Sequence, residues 1–94
     1  IETSRHLAER LLREADNDDA RLDLLFTLLG SREPTDTQRN VCAQLLNIER
    51  KRFAENQDDA VSLLSIGDAP RDTKLDVVQH AAWTQLAVTV LASD

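Results

Sequence analysis

Apolar positions in the first third of the chain recur at helical spacing. Leu7, Ala8, Leu11, Leu12 and Ala15 lie mostly three or four residues apart, with Glu9, Arg10, Arg13 and Glu14 on the opposite face. One apolar face against one charged face predicts an amphipathic helix over residues 4–15. Thr3 or Ser4 suits its start. The stretch ADNDDA ends it, because short polar side chains compete with the helix for backbone hydrogen bonds. A second helix is expected over 19–29, capped by Asp18 or Asp19. Leu22, Leu25, Phe26 and Leu29 form its stripe, and Leu24 and Leu28 widen it. So broad an apolar surface predicts a central position.

The next nine residues, GSREPTDTQ, read as one helix stop and one helix start placed back to back. Gly30 suits the left-handed residue that closes a helix. Arg32 is placed to reach the last unpaired carbonyls. Pro34 keeps Glu33 out of helical space. Thr35 and Gln38 have the spacing of a capping box, and Asp36 favours the positive end of the helix dipole.

A third helix follows over 36–55, with Val41, Cys42, Leu45, Ile48 and Phe53 expected inward. The basic ERKRF at its end is expected to be solvated near the negative pole of the dipole. Asp58 then caps either a short helix carrying Val61, Leu63 and Leu64, closed by Gly67 and the Pro70 turn, or a partly ordered loop. The last helix is expected over 72–92, with Leu75, Val78, Ala82, Leu86 and Val90 on one face and Trp83 and Leu91 beside it. No internal repeat appears. The fold class is all-α: residues 1–94 form one small bundle of four main helices, with an extra short helix near 58–66.

Composition agrees. Two Gly and two Pro in 94 residues leave little turn material for a many-stranded sheet, and aromatic residues are so few (Phe26, Phe53 and Trp83) that Leu, Val, Ile and Ala must build the core. A formal charge of −6 argues against nucleic acid and anionic membrane as partners, since both are bound chiefly by basic surfaces. No apolar run reaches the roughly 18 residues needed to span a bilayer. The chain opens on Ile1, as expected of a segment of a longer protein. Cys42 is the single cysteine, has no internal disulfide partner, and is expected in the core.

Candidate chemistry is thin. His6 and His80 are the only histidines, and without a third ligand they are read as surface or helix-end residues. The acidic DNDDARLDLL lacks the glycine and the bidentate glutamate of a calcium loop. No Gly-rich phosphate loop or nucleophile elbow is present. The expectation is therefore no enzyme, no metal and no cofactor. Arg32, Glu33 and Trp83 are the candidate interaction residues: Arg32 as a carbonyl cap or a bridge to another segment, Trp83 as a core filler or an interface anchor.

RLDLLFTLLGSREPT at 21–35, together with the Ala-Trp-x-x-Leu helix at 82–94 and HLAERLL at 6–12, resembles the C-terminal helical part of a planctomycete domain of unknown function. The resemblance covers most of the chain. It implies a place in large exported or periplasmic proteins that also carry planctomycete cytochrome-c-like modules. No catalytic residue carries over. Cys-x-x-Cys-His is absent, so no c-type haem is expected by that route. Gln38 stands where an acidic residue would follow the Pro-Thr turn, and the sequence ends at Asp94 before an expected aromatic ending.

Three functions follow as expectations. The first is a structural or domain-orienting module contacting other domains of its parent chain. The second is a protein-interaction module with an exposed apolar groove involving Leu24, Leu28, Leu63 and Val88. The third is an accessory part of an enzyme site in the parent, through Arg32 or His80.

Overall fold

The computed structural model describes residues 2–30, 32–65 and 74–92, whose regular elements are all helices, with no strand among them. The helices are α1 (Glu2–Glu14), α2 (Asp18–Leu28), α3 (Asp36–Glu55), α4 (Gln57–Leu64) and α5 (Val77–Ala92). The chain has a radius of gyration of 12.4 Å.

Helix boundaries follow local hydrogen bonding. The α2–α3 corner is built as its letters imply. Gly30 is left-handed at φ 75°. The Thr35 N–H donates to Gln38 Oε1 at 2.8 Å, and the Gln38 N–H donates to Thr35 Oγ1 at 3.2 Å. Other starts differ from expectation. Helix α1 begins at Glu2, so Thr3 and Ser4 lie inside it. Asn17, in extended backbone, caps α2 by accepting from the Ala20 N–H at 2.9 Å, and Asp18 and Asp19 occupy the first turn. Asp58 likewise sits in the first turn of α4, whose N-terminus has no side-chain cap. Helix α5 starts at Val77 and not at Asp72, because Asp76 accepts the Gln79 N–H at 2.9 Å and takes the capping role. Gly67, Pro70 and Asp72 lie outside the described residues.

Helix α5, not α2, is the centre. It packs against α1, α3 and α4, while α1 also meets α2 and α3 meets α4. Ala81, Ala82, Trp83, Ala87 and Leu86 are buried on successive faces of α5, so its expected single apolar face does not describe it. Alanines let three helices approach one axis closely. Leu11, Leu25, Leu46, Phe53 and Leu64 fill the space around that axis.

On α3 the inward face is Cys42, Leu46 and Phe53. Val41 and Ile48, expected inward, are 49% and 61% exposed. The helix carries more apolar positions than its neighbours cover.

Candidate functional site

Two features stand out: a buried polar seam between α1 and α5, and an apolar groove at the opposite end of α5.

The seam exists because α1 is sandwiched between α2 and α5, which covers flanks that would be solvated on an edge helix. Ser4, Arg5 and Glu9 of α1 and His80 and Thr84 of α5 are all buried. Arg5 Nη1 donates to the Leu64 carbonyl at 2.8 Å and so closes the C-terminus of α4. Arg5 Nε and Nη2 and the Trp83 indole nitrogen have no hydrogen-bond partner among the described residues. His80 Nε2 lies 3.3 Å from the Arg5 carbonyl oxygen and 3.7 Å from Glu9 Oε1. Glu9 Oε2 lies 3.4 Å from Arg13 Nη2. The Thr84 hydroxyl donates to the His80 carbonyl at 2.7 Å, which satisfies it inside the helix.

His80 is thus fully buried and not at the surface, and Glu9 does not lie on a solvated face. The sequence signal was available: no charged residue occurs between Asp76 and Asp94, the mark of a helix covered all round. Ser4 continues the Ala8–Leu11–Ala15 stripe one turn earlier. None of the clefts described here is lined by Arg5, Glu9 or His80.

Arg50 also departs from expectation. Its guanidinium grips Asp18 with two hydrogen bonds, at 2.9 and 2.8 Å, and Gln79 Oε1 at 3.0 and 2.8 Å, joining α3 to α2 and α5. The Asp18 carboxyl is held below its ordinary value, mainly by the hydrogen bond from Arg50. Arg39 makes a parallel link from α3 to Asp23 of α2. Only Lys51 and Arg52 of the ERKRF run remain exposed, and Arg52 stacks on Phe53 at 4.9 Å.

The groove is formed by the C-terminal end of α2 (Phe26, Leu29), the first turns of α3 (Thr37, Gln38, Val41, Cys42, Leu45) and the last turns of α5 (Thr89, Val90, Leu91), with a volume of about 570 Å³. No lining residue carries a charge. Val41 and Leu91 form its exposed edges, Leu91 being 47% exposed. Burial pushes the Cys42 thiol above its ordinary range. A second cleft, about 460 Å³ between α2 and α3, is mixed, with Asp18, Asp19, Asp36, Arg39 and two asparagines around it beside Leu22, Ala43 and Leu46. Among the described residues no group of three His, Cys, Asp or Glu side chains could hold a metal ion. No described helix is long and apolar enough to cross a membrane.

The sequence-derived candidates scatter. Arg32 and Glu33 are exposed on the α2–α3 corner. Trp83 is wholly buried, so it presents no surface. Leu24, Leu28 and Leu63 are half-buried against the core and Val88 is half-buried, so the exposed large apolar side chains described are Val41, Ile48, Val61 and Leu91 and not those residues.

Comparison of the chain with protein-family models, with curated proteins and with solved structures finds no match.

Proposed function

We propose that this chain is a non-catalytic helical docking module whose working surface is the groove between α2, α3 and the end of α5. In this reading α1, α2, α3 and α5 are the four main helices of a bundle and α4 is a short addition. One observation carries it: a charge-free groove of about 570 Å³ edged by exposed Val41 and Leu91, in a chain whose other apolar side chains mostly pack inward. Concave apolar surface of this kind suits a protein contact. The resemblance to a planctomycete domain fits the same reading, in which the module orients neighbouring domains of an exported protein.

The test separates docking surface from core. Val41→Ser and Leu91→Ser should each leave stability to urea within about 1 kcal/mol, since both side chains are half-exposed. Together they should abolish the binding of an amphipathic fluorescent dye, anilinonaphthalene sulfonate, to the native chain. A loss of more than about 2 kcal/mol for either would show that these residues hold the fold, and the reading would fail.

A further inference from the structure

One buried charge in the α1–α5 seam has no counter-charge beside it. Arg5 is 1% exposed, and a guanidinium keeps its charge at any ordinary pH. It makes no ion pair among the described residues. Glu9, the one buried carboxylate described, faces other bases. Its Oε1 lies 3.7 Å from His80 Nε2, and its Oε2 lies 3.4 Å from Arg13 Nη2 and 3.9 Å from His6 Nδ1.

Only one edge of the guanidinium is used. Nη1 donates to the Leu64 carbonyl at 2.8 Å, whereas Nε and Nη2 are buried without a partner. Those two N–H bonds lie side by side on the planar group and point the same way. That edge binds an anion with two charge-assisted hydrogen bonds. Trp83 Nε1 is a further buried donor without a partner, one helical turn beyond the His80 that touches the Arg5 carbonyl. A water molecule at the Arg5 edge would accept the N–H bonds and leave the buried charge unbalanced. An anion answers both. No described cleft is lined by Arg5, which restricts the occupant to one small ion and shuts out organic acids and phosphates.

We propose that the Nε–Nη2 edge of Arg5 is a structural halide site that takes chloride, bound as α1 packs against α5 and the end of α4. The ion balances the Arg5 charge and holds the guanidinium in place while Nη1 closes α4. The site is separate from the groove and does not depend on the docking reading.

Urea unfolding in sodium chloride and in sodium gluconate, each at about 0.2 M, compares a small anion with one too large for an enclosed site. The midpoint should lie higher in chloride by about 0.5 M or more, as when an ion binds the folded chain alone. Arg5→Met keeps the volume and removes the donors, so its midpoints should be equal in the two salts. A second measurement needs no variant to fold: crystals of the unaltered chain grown in sodium bromide should show an anomalous peak in contact with Arg5 Nε and Nη2. Equal midpoints for the unaltered chain overturn the proposal, as does a chloride shift that persists in Arg5→Met. Absence of an anomalous peak at that edge overturns it too, and ordinary density there would assign the place to water.

Discussion

Arg5 is the most demanding single residue in the molecule: its side chain is buried, one N–H bond reaches the Leu64 carbonyl, and two nitrogens lack partners. A buried guanidinium contributes through packing of its stem as well as through charge. Arg5→Ala should cost about 2–4 kcal/mol, since it leaves a cavity and an unpaired carbonyl at the end of α4. Arg5→Met, which refills the volume without the charge, should cost less than half as much, because apolar isosteres commonly replace buried ions at little loss. Equal losses in urea titrations would show that the bond to Leu64 outweighs packing. Such a residue was hard to read in advance. An arginine near a helix start is ordinarily a solvated cation, and burial against α5 and the end of α4 reverses that here.

At the scale of elements, the α2–α3 corner was almost fully legible. Capping depends on residues within four positions of each other, so Gly30, Thr35 and Gln38 spell out their own geometry. Thr35→Ala should lower stability by about 1 kcal/mol in thermal or urea unfolding. The other helix starts were misread by one to five residues because several Asp and Asn side chains competed for each cap. The residue whose side chain accepts an unpaired N–H of the first turn won in each capped case, Asn17 for α2 and Asp76 for α5. The link between α2 and α3 carries a pH signature. The Asp18 carboxyl is lowered in the folded state by Arg50, so the folded chain binds this proton less readily than the unfolded chain. Its stabilisation is present above the ordinary value of 3.8 and is lost as pH falls through the lower folded value. Asp18→Asn should flatten the acid side of the stability curve below the ordinary carboxylate value of 3.8, read from urea midpoints. The effect should stay under about 1 kcal/mol, because the Asp18 side chain is 45% exposed.

At the scale of the whole molecule, α5 decides the packing. Ala81, Ala82 and Ala87 have no accessible surface, and three helices close around them. Ala81→Leu or Ala87→Leu should therefore destabilise by about 1–3 kcal/mol or prevent cooperative unfolding, measured by calorimetry. An unchanged melting transition would mean that α5 is less tightly enclosed than its burial implies. Sequence reading placed α2 at the centre because α2 is denser in leucine. Leucine density reports how much apolar surface a helix offers. A run of small residues without charge reports how closely other helices may come, and that proved the better guide.

The sequence by itself determined the all-helical class and the built form of the α2–α3 corner. Both rest on periodicity and on contacts within a few residues, which are written locally. It also placed Cys42, Leu22, Leu25, Phe26 and Phe53 in the core, since those sites lie on stripes that any packing would cover. Only the tertiary structure decided which of two candidate flanks each helix turns inward. It buried Arg5, Glu9 and His80, tied Arg50 to Asp18, and left Val41, Ile48 and Leu91 outside. A helix with apolar residues on more than one flank can be covered from either side, and the choice belongs to neighbours dozens of residues away.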